Sequence, residues 1–210
     1  MNRREFAQML TAGAGSLGLA GPEGIALAEN EPPVRPSGAA SIANPVTVDD
    51  YRQNAQAQLP SATYDYIADG SGDGHTLRAN VDDLQRVNVL PPLLRGVAEP
   101  DLSTTVLGTK ISLPIMLAPV AGLRMFHPDG ALATARAAHV MGTLQGVSSS
   151  AFHSVEEVAA AASGPKWFQM YMPQDRRVAR RLVERVEAAG YEAIILTVDQ
   201  GEWKDNDRRN

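Results

Sequence analysis

Four groups of residues recur at the ends of apolar runs in the second half of the chain, three of them polar. Pro119-Val120-Ala121-Gly122 follows one apolar run and Ser148-Ser149-Ser150 follows a second. Gln169 and Tyr171 stand two apart in a third run, as do Thr197 and Asp199 in a fourth. On a strand, a spacing of two points both side chains to one face. Polar groups at such positions inside an apolar frame cost stability unless they are satisfied, which favours a bound polar ligand. The set offers amide, hydroxyl, phenol and carboxylate, the equipment of hydrogen bonding. Thiol chemistry is excluded, because the chain has no cysteine: no disulfide, no thiolate metal centre, no cysteine nucleophile. The four histidines, His75, His127, His139 and His153, show no ligand spacing, so no metal site is expected and all four read as structural. A formal charge of −5 leaves no basic footprint for nucleic acid.

The elements that must carry these groups alternate. Strands are predicted over 115–118, 143–147, 166–171 and 193–198. Helices fall between them, over 128–141, 154–162 and 174–189. Pro128 suits a first turn and Gly142 a C-cap, while Ser154 and Glu157 form a capping box. The third helix carries Val178, Leu182, Val183 and Val186 on one face. Its arginines (Arg176, Arg177, Arg180, Arg181, Arg185) fall mostly on the other, as a solvated face. The run 193–198 is almost wholly apolar, as in parallel strands buried on both sides. Strand–helix alternation of this kind makes parallel βαβ units. A closed (β/α)8 barrel takes about 250 residues, so residues 114–210 supply its first half, truncated after about strand 4. A small doubly wound sheet would want a glycine fingerprint after its first strand, and Pro119-Val120-Ala121-Gly122 is not one.

Ahead of the barrel half, residues 47–113 form a helical and hairpin extension. Asp49 or Asp50 is expected to cap a helix ending before Pro60, and Ser61 a second running to Gly70. Residues 71–100 read as irregular and 101–112 as a hairpin. Residues 29–46, with four prolines, are a linker. Residues 1–28 resemble a twin-arginine export signal: Arg3-Arg4, a weakly apolar stretch rich in Gly and Ala, then Ala26-Leu27-Ala28 as a small-x-small cleavage site. They predict a periplasmic or otherwise exported mature chain starting near Glu29; without the signal the protein stays in the cytoplasm. No apolar run is long enough for a membrane span.

From about residue 46 onward the sequence resembles the N-terminal half of the FMN-dependent α-hydroxy-acid dehydrogenase/oxidase family, which includes glycolate and lactate oxidases. The segments that carry the resemblance are Leu59-Pro60, Tyr64-Asp65-Tyr66-Ile67-Ala68-Asp69-Gly70, Pro114-Ile115-Met116-Leu117-Ala118-Pro119, Ala133-Thr134-Ala135-Arg136-Ala137-Ala138, Ser154-Val155-Glu156-Glu157-Val158, Phe168-Gln169-Met170-Tyr171 and Leu196-Thr197-Val198-Asp199. The resemblance implies a (β/α)8 fold, FMN as cofactor, and a small 2-hydroxy acid oxidised to a 2-oxo acid with hydride passing to the flavin. It also leaves a homo-oligomer open, since many family members are tetramers.

The resemblance also implies roles. Pro119, Val120 and Ala121 match the loop whose backbone lies against the flavin ring. Ser148, Gln169 and Thr197 match polar contacts to FMN. Tyr66 and Tyr171 match tyrosines that hydrogen-bond the substrate. Asp199 matches the carboxylate that stabilises the charged form of the catalytic histidine, and a base that gains charge needs a fixed anion beside it. Two departures stand out. Ser150 replaces an aromatic found in many members. Lys204, counted back from Asp207-Arg208-Arg209-Asn210, takes the place of a substrate-associated arginine, offering a point charge for a bidentate fork. The family's base histidine and carboxylate-binding arginine lie in a Ser-Asn-His-Gly-x-Arg type of segment that does not occur in these residues. The expectation is therefore a polypeptide of this enzyme family; the alternative is a catalytically inactive, truncated fragment of it. Another flavin or phosphate barrel, such as a type 2 isopentenyl-diphosphate isomerase, is opposed by the Tyr-Asp-Tyr helix and by Asp199.

Overall fold

The computed structural model describes residues 42–199. They fall into two compact units, one ending at Gly96 and one starting at Val97. Residues 1–28, read above as resembling an export signal, most of the 29–46 segment and the residues after Asp199 lie outside the described residues.

Among the described residues, the first unit holds three helices: α1 (Val48–Gln58), α2 (Ser61–Ala68) and α3 (His75–Gln85). Thr47, not an aspartate, caps α1. Its hydroxyl accepts from the Asp50 amide at 3.2 Å, and the Asp50 carboxylate accepts in return from Thr47 N and Val46 N, each at 2.9 Å. Those donors hold the Asp50 carboxyl below its usual range. Pro60 precedes the first turn of α2, so Ser61 is a helical residue and not its cap. Helix α3 corrects the irregular reading of 71–100. Leu77, Val81 and Leu84 follow helical spacing, but they are 44%, 57% and 74% exposed. The helix opens from Gly74 in the left-handed region (φ 73°) without a capping side chain, so no start signal marks it.

The second unit begins with an antiparallel hairpin, β1 (Thr104–Val106) and β2 (Thr109–Ile111). Leu107 and Gly108 both have positive φ (47° and 85°), the signature of a type I′ turn. A parallel sheet follows, in the order β3 (Gln145–Ser148), β4 (Lys166–Tyr171), β5 (Ala193–Thr197). The connections are helices α4 (Gly130–Val140) before β3, then α5 (Val155–Ala161) and α6 (Arg176–Ala188). Capping follows the sequence for α5: Ser154 and Glu157 form the reciprocal box. Asp175 caps α6 by accepting from Arg177 N at 2.8 Å. Gly142, at φ 63°, ends α4. Removing the Ser154 cap should cost about 1 kcal/mol. Ser154→Ala is expected to melt lower than the parent, and Ser154→Asp to melt close to it; equal melting of parent and Ala variant would show the box idle.

The first predicted strand, 115–118, is not a strand. It is reduced to a single parallel bridge between Leu117 and Gln145, held by Leu117 N to Leu144 O at 3.0 Å and Gly146 N to Leu117 O at 2.7 Å. Prolines at 114 and 119 bracket the segment and remove the donors that would extend the ladder. The sheet thus has three strands and a bridge among the described residues.

Side chains of the sheet sort by parity. Val147, Phe168 and Met170 face the helices and join Val158 and Val186 in one buried cluster. The Phe168 and Tyr191 rings meet edge to face at 6.0 Å, and the buried Tyr191 hydroxyl donates to Val155 O at 3.1 Å. Burial pushes that phenol well above its ordinary range. Leu144 and Trp167 join Ile111 of the hairpin in a second cluster, with Ala193 and Ile195 packed against it. β5 departs from expectation: Ile194 and Leu196 are 40% and 46% exposed. Of the α6 arginines, Arg185 makes a two-pronged contact with Glu156 at 2.9 Å on each side, half-exposed and worth under about 1 kcal/mol. The other four are exposed.

Candidate functional site

The face opposite the helices carries the polar groups. Ser148 is paired in register with Gln169, and Tyr171 with Thr197. Side chains in register share a face, so Ser148, Gln169, Tyr171 and Thr197 form one polar row at the C-terminal ends of three adjacent strands. Hydrogen bonds join three of them. Gln169 Nε2 donates to Thr197 Oγ1 at 2.7 Å. Gln169 Oε1 accepts from the Ser148 hydroxyl at 3.2 Å, and at longer range from Ser149 N and Oγ at 3.3 and 3.4 Å. The amide is thereby fixed: its oxygen is engaged on the β3 side, and one of its two N–H groups is engaged on the β5 side. Ser148 is 7% and Gln169 5% exposed, so these partners are what makes their burial tolerable. Ser148 Oγ also accepts from Ser150 N at 3.1 Å, which shapes the turn leaving β3.

Pro119–Ala121 lies beside this row. A Cβ on Gly146 would come within 2.8 Å of Pro119 Cδ and 3.0 Å of its nitrogen, so the loop rests directly on the β3 backbone. Gly122 N donates to Ser150 O at 2.9 Å, tying the loop to the one after β3. Val120 is 47% exposed. Tyr171, at the end of β4, is 41% exposed, and Asp199, two residues beyond β5, is exposed.

The row therefore gathers Ser148, Gln169, Tyr171 and Thr197, with Pro119, Val120 and Ala121 on the adjoining loop. Tyr66 lies on α2 of the first unit, 47% exposed. Lys204 lies outside the described residues. Sequence reasoning gave no role to Ser149, which shares the Gln169 oxygen; the Ser148-Ser149-Ser150 run was its only signal. Gly146 was also passed over, because only packing reveals why a side chain is excluded there.

Chemically, the row suits a flat heterocycle whose edge alternates carbonyl oxygens and ring nitrogens. Neutral amide and hydroxyl groups can donate or accept along such an edge, and Gln169 retains an N–H for it. Among the described residues no three His, Asp or Glu side chains cluster as metal ligands. None of the described helices is long and apolar enough to cross a membrane.

The profile of the FMN-dependent dehydrogenase family matches residues 55–210. Glycolate oxidase 5 of Oryza sativa subsp. japonica is 49% identical over 152 residues, 72% of this chain and 41% of its own length. A crystal structure of mandelate oxidase superposes with a TM-score of 0.70 at 40% identity, over 74% of this chain and 45% of its own. An active mutant of (S)-mandelate dehydrogenase gives 0.68 at 34% identity, over 72% and 43%. The chain spans about two fifths of the length of the curated relatives it matches.

Proposed function

The chain belongs to the FMN-dependent dehydrogenase family, and from that premise we propose that its protein oxidises a small 2-hydroxy acid to the 2-oxo acid, with FMN as cofactor. The observation that carries this is the hydrogen-bonded row Ser148–Gln169–Thr197 across three strand ends. Bound FMN supplies the two-electron acceptor. Ser148, Gln169 and Thr197 would hold its polar edge, and the Pro119–Ala121 backbone its ring. Tyr171 would hydrogen-bond the substrate, joined by Tyr66 and Lys204, while Asp199 would steady the protonated base. In the holoenzyme, meaning the whole gene product with FMN bound, anaerobic 2-hydroxy acid should bleach the flavin absorption and yield one equivalent of 2-oxo acid. Failure of glycolate, lactate and mandelate alike to bleach it would sink the reading.

A second reading is that these 210 residues by themselves keep the family's surfaces without turnover. It is favoured by the lack of any Ser-Asn-His-Gly-x-Arg segment within them. Homo-oligomer formation belongs to the first reading and is read by light scattering of the holoenzyme. Export belongs to it too, through Arg3-Arg4 and Ala26-Leu27-Ala28. Residues 1–40 fused to a reporter active only outside the cytoplasm should give signal, and Arg3→Lys with Arg4→Lys should abolish it. Undiminished signal in the double variant would remove the twin-arginine assignment.

A further inference from the structure

Phe152 is an aromatic residue held at φ 58°, in the left-handed region that bulky side chains avoid, yet it is 49% exposed. A strained backbone that presents a half-exposed ring gains little from burial, so the fold alone does not account for it. Its position is specific. It sits on the loop leaving β3, four residues after Ser148, at the end of the sheet where the polar row lies. Gly122, next to Ala121, has φ 67°; a Cβ there would lie 2.4 Å from Met125 Cε and 3.7 Å from Phe152 Cε2. The absent side chain of Gly122 thus leaves room for the Met125 methyl, with the Phe152 ring beside it. The bond from Gly122 N to Ser150 O, at 2.9 Å, locks the two loops in that relation. Val120, half-exposed, adds a third apolar side chain. Resting on the reading of function above, we propose that Phe152 and Met125 form the apolar wall that meets the side chain of the substrate. The preferred class is then 2-hydroxy acids with an aromatic or branched apolar substituent, over glycolate.

A lost apolar contact of this size changes discrimination by about 10- to 100-fold. In the holoenzyme, Phe152→Ala and Met125→Ala should lower kcat/KM for mandelate relative to glycolate by that factor, with glycolate kcat/KM within about threefold of the parent. Calorimetric titration with the inert pair 2-phenylpropionate and propionate should show the same loss, confined to the phenyl compound. Phe152→Gly relieves the positive φ, so it should lose phenylpropionate affinity while melting no lower than the parent. An unchanged ratio, an equal loss for both acids, or a lower melting point in Phe152→Gly would each overturn the wall. If no 2-hydroxy acid is turned over at all, the reading of function falls, and the titration still decides the wall separately.

Discussion

Asp199→Asn in the holoenzyme is expected to slow substrate-driven bleaching of the flavin by about 10²–10⁴-fold, with FMN still bound. The argument is electrostatic. Asp199 is exposed two residues past β5, the strand whose last residue, Thr197, belongs to the polar row. A base that takes up a proton becomes a cation, and a fixed carboxylate beside it lowers the energy of that charged state. The amide has the same shape without the charge, so binding should persist and the loss should appear in kcat more than in KM. Tyr171→Phe removes one hydroxyl from a ring whose backbone is fixed in β4, and should cost about 10- to 100-fold, the size of a hydrogen bond to a charged group. Stopped-flow bleaching measures both. An Asp199→Asn protein that loses FMN but reacts at the parent rate once saturated would give Asp199 a different task.

What could be read from the sequence follows from how local each determinant is. β4 was legible to the residue, because Lys166–Met170 is a continuous buried run that ends at the exposed Tyr171. The α5 cap was legible because Ser154 and Glu157 act at a fixed spacing. The shared face of Gln169 and Tyr171 was legible through strand parity, whereas Asp199 lies past the end of β5, where that parity no longer places a side chain. Residues 115–118 were misread because an apolar run does not reveal whether its flanking prolines leave donors for a ladder. Helix α3 was missed because its apolar stripe is exposed and its start is a glycine turn. The approach of Met125 and Phe152 to Gly122 was invisible: it depends on φ values and on loops brought together across the chain.

The polypeptide of residues 1–210, expressed by itself, is expected neither to turn over hydroxy acids nor to stay monomeric. Among the described residues β5 pairs only with β4, and β3 meets the preceding segment only through the Leu117 bridge. The exposed β5 edge is flanked by apolar side chains, Ile194, Leu196 and Val198 at 40%, 46% and 83% exposure. An edge of this kind pairs with another copy or aggregates. Chemistry fails for a separate reason. The resemblance assigns the base to a histidine of a segment these residues do not contain, and a positioned base contributes about 10²–10⁴-fold. Of their own histidines, His127 has its Nδ1 already engaged, accepting from Asp129 N at 3.2 Å. Light scattering should therefore show dimers or larger species. FMN fluorescence should change little on titration, and anaerobic lactate, glycolate or mandelate should leave the flavin band intact. Stoichiometric FMN with substrate-driven bleaching in a monomer would reverse both halves of the argument, and His127→Ala would then be the first substitution to make, because its loop leads directly from Pro119–Ala121.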